Sequence, residues 1–108
     1  RYTVRLPDSM SFEQGAAFFL NYATAWFTLH RAGFTEGESV LVHGASGGVG
    51  TAVLDLLRGR AVPAIAVVSS PEKAEVALAC GADLVLRTDG DWVADLARHV
   101  GRRRVVRR

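Results

Sequence analysis

The sequence predicts an α/β fold in which a parallel sheet carries helices on both faces. Three short apolar runs, at residues 40–42, 64–68 and 84–86, are each of strand length. A stretch with helical spacing of apolar residues follows each run, and the middle run has no polar residue, which is typical of a strand covered on both faces. This alternation implies parallel strands joined by right-handed crossovers. We therefore expect three strands in the order 3-2-1.

The residues before the first strand, 1–38, are expected to form a linker strand and a helix that lead into the sheet. Residues 2–7 alternate between polar and apolar side chains, which predicts a short strand, and residues 8–10 predict a turn. A helical segment follows and occupies most of the remaining length.

Capping signals mark both ends of this helical segment. Ser11 and Gln14 have the spacing of a capping box, so a helix is predicted to begin there, and Gly33 is placed to end it. Asn21 leaves open whether the segment is one helix or two. Apolar and aromatic side chains recur every three or four positions, so we expect one buried face. The members of that face are Phe12, Ala16, Phe19, Ala23, Phe27 and His30.

The three later helices also carry start and stop signals. Gly59 is placed to end the first of them. Ser70 is a preferred N-cap residue and Pro71 suits the first helical position, so they predict the start of the second, which Gly81 ends. Asp91 is expected to start the last helix. Residues 39–101 are thus interpreted as the sheet domain.

The basic balance of the chain comes from its last residues. Five of the 13 basic residues lie at 102–108, and the other eight are outnumbered by 11 acidic residues, so the charge without this run is −3 instead of +2. A basic run can bind nucleic acid or anionic lipid. We interpret residues 102–108 as a solvated basic tail and expect neither a nucleic-acid nor a membrane partner.

Composition favours a folded protein in a reducing compartment. Hydrophobic residues make up 49% of the chain and charged residues 22%, which is not the composition of a disordered segment. No apolar run has the length of a membrane span, and the first residues do not resemble a signal peptide. The single cysteine, Cys80, cannot form an intramolecular disulfide. We expect a cytoplasmic protein without a zinc site.

The segment most informative about function is residues 43–50, a glycine-rich turn between the first strand and the next helix. A pyrophosphate needs backbone N–H donors at a helix N-terminus, and glycines let it approach closely. Taken as a variant of the GxGxxG pattern, the segment places Ala45, Gly47 and Gly50 at the three glycine positions. We therefore expect a Rossmann-type domain, N-terminal half only, that binds a dinucleotide.

The end of the second strand indicates which dinucleotide. Domains selective for NAD place an acid here to bind the ribose hydroxyls, whereas residues 67–70 contain none. Ser69 and Ser70 offer hydroxyl donors, and Lys73 offers a positive charge one turn into the helix. These residues favour NADPH over NADH.

The combined pattern resembles the medium-chain dehydrogenase/reductase family, in its zinc-free quinone-oxidoreductase-like branch. The likeness extends over residues 4–100. The stretches that carry it are residues 6–8, 11–17, 21–26, 37–50, 68–73 and 81–83.

The resemblance implies a role for particular residues. Gly47, Gly48, Val49 and Gly50 would contact the pyrophosphate. Ser69 and Lys73 would hold the 2′-phosphate. Arg87 stands near the place of a family tyrosine by the adenosine phosphate. The candidate cofactor-binding residues are Thr24 (near the nicotinamide), Ala45, Ser46, Gly47, Gly48, Val49, Gly50, Ser69, Ser70, Lys73 and Arg87.

The resemblance also implies that a catalytic domain precedes this segment and that three further strands follow it. Where the family has an apolar fourth strand, this chain has residues 102–108, so we expect the edge of the first strand to stay open. No catalytic residue is expected here.

The expected function is that of the nucleotide-binding part of an NADPH-dependent oxidoreductase. It would transfer hydride to a small molecule, namely a quinone, an enone or an enoyl thioester, and the full-length protein would be a homodimer. Two alternatives stay open. One is a truncated, non-catalytic NAD(P)-binding fragment. The other is a short-chain reductase fragment, because the loop also fits the GxxxGxG pattern, although the long segment before the first strand argues against it.

Overall fold

The computed structural model describes residues 3–35, 37–100 and 105–107. In chain order its elements are α1 (Phe12–Ala32), β1 (Ser39–His43), α2 (Gly48–Gly59), β2 (Ala64–Val68), α3 (Pro71–Ala79), β3 (Leu84–Arg87), α4 (Trp92–Val100) and β4 (Val105–Arg107).

The strands form one parallel sheet in the order β3-β2-β1-β4. The expected order 3-2-1 is confirmed for the first three strands. The expectation of an open edge beside β1 is wrong: Ser39–Leu41 pair with residues 105–107, within the segment interpreted as a basic tail. Strand pairing is made by backbone groups, so a run rich in arginine can still satisfy the N–H and C=O groups of an exposed edge.

Helices cover both faces of the sheet, as expected. On one face, α1, α2 and α3 share a core with β1 and β2, in which Val40, Leu54 and Leu57 are completely buried. On the other face, Leu41 and Ile65 pack against Trp92 and its neighbours on α4. The sheet is therefore the central layer, and the carboxyl ends of its strands meet at one edge.

Most of the capping signals of the sequence are confirmed, but the one at Gly59 is not: α2 includes Gly59, its C-cap is Arg60, and the left-handed residue after the helix is Ala61 at φ 55°. Ser11 and Gln14 form a capping box, and Gly33 ends α1 in the left-handed region at φ 63°. Ser70 caps α3 with Pro71 at its start. Residues 8–10 form the expected turn, but residues 3–7 form no strand, and Tyr2 lies outside the described residues.

The helix α1 is continuous through Asn21, but its buried face was wrongly predicted. Phe12, Phe19 and Phe27 are 86%, 68% and 59% exposed, whereas Ala25 and Leu29 are buried against α2 and the sheet. Ala25 and Leu29 thus lie on the side of α1 that packs on α2 and the sheet, and the three phenylalanines lie on the other side. No helix in the described part of the chain is long and apolar enough to cross a bilayer.

Candidate functional site

The glycine-rich loop between β1 and α2 lies at the carboxyl end of the sheet. Gly44 adopts φ +62°, a left-handed conformation that favours glycine, so the turn glycine is Gly44 and not position 45. The N–H groups of Gly44 and Ala45 both donate to the carbonyl of Val67, at 3.1 and 3.4 Å. The Ala45 side chain is completely buried in the core. Ala45 thus anchors the loop to β2 and presents no side chain to a ligand.

The N-terminus of α2 begins directly after this loop. Gly47 is its N-cap, with ordinary extended backbone and no side chain to bond the first helical turn. The first N–H groups of any helix lack an intrahelical acceptor. Those of Gly48, Val49 and Gly50 are therefore the donors that the fold offers to an anion, at the positive end of the helix dipole.

Gly50 is the glycine that brings α2 close to the loop. A Cβ atom built there would lie 2.5 Å from the Gly44 carbonyl oxygen and 2.7 Å from the Ala45 Cα. Both atoms belong to the backbone, so neither can move aside as a side chain would. A Cβ at Gly47, in contrast, would meet only the Gly44 oxygen at 3.4 Å, an ordinary contact. Gly50 is required by packing, whereas Gly47 leaves open space for a ligand.

A cleft of about 250 Å³ lies between α1 and the glycine loop. Its walls include Thr28 and Leu29 from α1 and Gly47, Val49 and Gly50 from the start of α2. Thr24, expected near the nicotinamide, lies one turn earlier on α1, is exposed and is not among the lining residues; its carbonyl accepts the Thr28 hydroxyl at 2.8 Å. The structure thus brings Thr28 to the cleft, a residue that the sequence pattern did not single out.

A second cleft, of about 130 Å³, lies at the ends of β2 and β3. Ser46 comes from the glycine loop, Ser69 and Lys73 from the end of β2 and the start of α3, and Thr88 from the end of β3. The Lys73 ammonium donates to Ser69 Oγ at 3.0 Å, so the two expected residues meet. The Ser70 hydroxyl instead accepts from the Lys73 backbone N–H as the helix cap.

Arg87 does not lie in this second cleft. Its guanidinium binds both carboxylate oxygens of Asp89, one of them at 3.0 Å from Nε, on the exposed surface beyond β3. This hydrogen bonding lowers the pKa of Asp89 and raises the pKa of Arg87. Thr88, whose N–H donates to the Val68 carbonyl at 2.9 Å, occupies the place by the cleft that was expected for Arg87.

The two clefts adjoin across the end of β1, because His43 and Gly44 line both. The two clefts have two positive regions nearby. One is the N-terminal end of the α2 dipole, and the other is the Lys73 ammonium. Among the residues that the structure describes, no carboxylate lines either cleft. The arrangement can hold an elongated ligand with one anionic group at the N-terminus of α2 and a second beside Lys73.

Comparison with known proteins finds relatives in both sequence and fold. No protein-family model matches the chain. Human quinone oxidoreductase is 36% identical over 99 residues, which are 90% of this chain and 30% of that protein. The highly reducing polyketide synthase ZEA2 of Gibberella zeae is 45% identical over 74 residues, 68% of this chain and 3% of that protein. The structure of Escherichia coli quinone oxidoreductase complexed with NADPH matches with a TM-score of 0.83 at 33% identity, over 91% of this chain and 31% of that one.

The chain spans about 30% of the length of the quinone oxidoreductases that it matches. The match covers about 90% of this chain in both sequence and fold, which is enough to include the glycine loop and the end of β2. The resemblance drawn from the sequence is therefore confirmed. Over the part of the fold that it contains, the chain belongs to the quinone-oxidoreductase-like branch of the medium-chain dehydrogenase/reductase family.

Proposed function

We propose that this segment binds NADPH and is the cofactor-binding part of a reductase. The observation that carries the proposal is the pair of adjoining clefts on either side of the glycine loop, which share His43 and Gly44. A dinucleotide has its pyrophosphate in the middle and a nucleoside at each end, so it suits a site with an anion-binding helix terminus between two clefts.

The pyrophosphate would lie at the first turn of α2. The N–H groups of Gly48, Val49 and Gly50 are the donors there, and Gly47 has no side chain to hold a phosphate away. Ala45 contributes by fixing the loop to β2, and Ser46 by lining the smaller cleft. These roles suit a ligand whose negative charge is concentrated in one group.

The 2′-phosphate would lie in the smaller cleft. Lys73 and Ser69 already meet there, and Thr88 also lines this cleft. A carboxylate at this point would repel a phosphate, and the described part of the chain brings none to the cleft. Ser70 supports the site as the cap of α3, while Arg87 would need to exchange Asp89 for the cofactor in order to contact it.

The larger cleft would accept the nicotinamide half, with Thr28 on its wall and Thr24 one turn away. NADPH supplies a hydride when bound, and the residues of this segment bind and orient it. For the whole protein we propose reduction of a quinone, an enone or an enoyl thioester. That range is supported by relatives named quinone oxidoreductase and highly reducing polyketide synthase.

The same proposal places the protein in the cytoplasm, in keeping with its single unpaired cysteine. It includes the expectation that this segment binds no zinc ion. A small molecule is the expected partner, and the full-length protein is expected to be a homodimer.

The direct test is an NMR titration of the 108-residue chain with NADPH, following each backbone amide. We expect the largest shifts at Gly48, Val49 and Gly50 and a second group at Ser69 and Lys73. Shifts confined to α1 or to the surface of α4, or none at millimolar NADPH, would rule out this site.

A further inference from the structure

A hydrogen-bonded pair joins α1 to α2 outside the proposed cofactor contacts. The Tyr22 hydroxyl donates to Asp55 Oδ2 at 2.5 Å, between residues 33 positions apart. Asp55 Oδ1 accepts from Arg58 at 2.9 Å, and the Phe18 ring stacks on Tyr22 with centroids 4.8 Å apart. The carboxylate of Asp55 is thus held from two sides, and Tyr22 is held by a ring as well as by a hydrogen bond.

The residues beside Tyr22 connect this pair to the cofactor site. Asn21 lies against the first turn of α2, where a Cβ atom on Gly48 would be 2.8 Å from Asn21 Nδ2. Two turns further along α1, Thr28 and Leu29 form the wall of the larger cleft. The separation of α1 from α2 therefore sets both the space over the pyrophosphate-binding turn and the width of the cleft.

Apolar packing makes up much of the remaining contact between α1 and α2. Apart from Asn21 and Tyr22, the α1 side chains buried in this contact include the apolar Ala25 and Leu29, which give a non-directional contact. The aromatic side chains Phe12, Phe19 and Phe27 are exposed on the other face and do not hold α1 against α2. The bond from Tyr22 to Asp55 is directional and spans both helices.

We propose that Tyr22, through Asp55, is a positioning residue for the cofactor: it holds α1 at the distance from α2 at which the larger cleft admits the nicotinamide half of NADPH. The proposal rests on the function proposed above. Without the bond, α1 would sample several positions and would have to be ordered when NADPH binds, so affinity would fall although no cofactor contact is lost.

The test compares two ligands on the 108-residue chain by calorimetric titration. NADPH occupies both clefts, whereas adenosine 2′-monophosphate has no 5′-pyrophosphate or nicotinamide and reaches only the cleft at Lys73. In Tyr22→Phe we expect NADPH to bind roughly three- to tenfold more weakly, the factor for one hydrogen bond of ordinary strength. Binding of adenosine 2′-monophosphate should be unchanged, which also shows that the variant is folded.

Three further variants separate positioning from general stability. Asp55→Asn keeps an acceptor oxygen and should retain most of the NADPH affinity. Asp55→Leu should match Tyr22→Phe, and the double variant should be no weaker than either, because both remove the same bond. Ile65→Val removes a methylene from the opposite face of the sheet and should lower stability without changing the ratio of the two affinities.

The outcomes distinguish failure of the positioning role of Tyr22 from failure of the proposed NADPH binding. Equal loss of both ligands in Tyr22→Phe, additive losses in the double variant, or unchanged NADPH affinity would each overturn the positioning role. If the unsubstituted chain binds neither ligand, the proposed function itself fails, independently of Tyr22.

Discussion

Lys73 Nζ donates to Ser69 Oγ over 3.0 Å, which joins the first turn of α3 to the residue that follows β2. Lys73 is the only lysine in the chain, and it lines the smaller cleft, as does Thr88. The pair therefore offers a positive charge and a hydroxyl at the point where a ribose 2′-substituent would lie.

We predict that replacing Lys73 with methionine, which keeps much of the apolar stem, weakens NADPH binding and leaves NADH binding nearly unchanged. A charge-assisted contact contributes about 1.5–3 kcal/mol, which corresponds to roughly ten- to hundredfold in affinity. Arg98→Met, an exposed charge on α4, is the matched control and should change neither affinity. A loss that is equal for NADPH and NADH would contradict the assignment of Lys73.

A carboxylate at the end of β2 should shift the preference toward NADH. Val68 is buried, so an acid there would destabilise the sheet, whereas Ser69 is exposed and beside Lys73. Ser69→Asp should lower the affinity for NADPH and raise that for NADH, because the acid repels a phosphate and binds ribose hydroxyls. Fluorescence titration with both nucleotides measures the ratio, and Ser69→Asn, without the charge, serves as control.

Two glycines of the loop should respond differently to alanine. In Gly50→Ala the new Cβ meets backbone at 2.5 Å, so the free energy of unfolding should fall by about 1–3 kcal/mol, the usual cost of overpacking. In Gly47→Ala the new Cβ would lie at an ordinary distance from the Gly44 oxygen, so the stability should be kept. NADPH binding should weaken, by about tenfold if one charge-assisted bond is lost. Urea unfolding and NADPH titration of both variants give the comparison, and the reverse pattern would contradict the geometry.

The bond between Tyr22 and Asp55 should make stability depend on pH at both ends of the range. The hydrogen bond from Tyr22 lowers the pKa of Asp55 below its usual 3.8, so this stabilisation is present above about pH 4 and is lost as the pH falls through the lowered value. The same bond, together with burial, raises the pKa of Tyr22 above 10.0; nearby Asp55 and Cys80 raise it further, and Arg58 opposes this. The stabilisation by the neutral Tyr22 hydroxyl is present below pH 10 and is lost as the pH rises through the raised pKa of Tyr22.

The measurement is the difference in unfolding free energy between the unsubstituted chain and Tyr22→Phe as a function of pH. We expect a plateau between about pH 5 and 9 that declines on both sides. A difference that stays constant from pH 3 to 11 would show that the hydroxyl does not bond the carboxylate in solution.

The strand β4 should contribute measurably to stability. It pairs with Ser39–Leu41, so deletion of residues 101–108 leaves the edge of β1 open. We expect a lower Tm, by about 4–8 °C for each kcal/mol lost in a domain of this size, and more aggregation on heating. Replacing the arginines at 102–104 with glutamine keeps residues 105–107 and is the control for charge. If this control loses as much stability as the deletion, the strand is not the cause.

The local signals of the sequence were sufficient for most of the fold. The capping box at Ser11 and the N-cap at Ser70 depend on residues three positions apart, so they are visible in the sequence. The order of the first three strands follows from alternation and crossover handedness, whereas the pairing of β4 with β1 was not predicted. The face of α1 was wrong because periodicity shows that a helix has an apolar face and not which neighbour it meets; the close contact with α2 selected Ala25 and Leu29.

The candidate site could be predicted only in part, because the spacing of residues in the sequence does not show which distant residues meet in the fold. Ser69 and Lys73 are four positions apart on one turn, so their meeting could be anticipated, although their role stays a prediction. Thr28 and Thr88 come to the two clefts from distant parts of the chain, and no spacing in the sequence marks them. The turn glycine was assigned to position 45 by counting a pattern, whereas the backbone places the left-handed turn at Gly44.

The most direct test of the central claim is calorimetric titration of the unsubstituted chain with NADPH and with NADH under identical salt and pH. The two nucleotides differ only in the 2′-phosphate, so the ratio of their affinities reports on the cleft at Ser69 and Lys73 alone. The account predicts that NADPH binds about tenfold or more tightly, as expected for one charge-assisted contact. Equal affinities, or tighter binding of NADH, would contradict it.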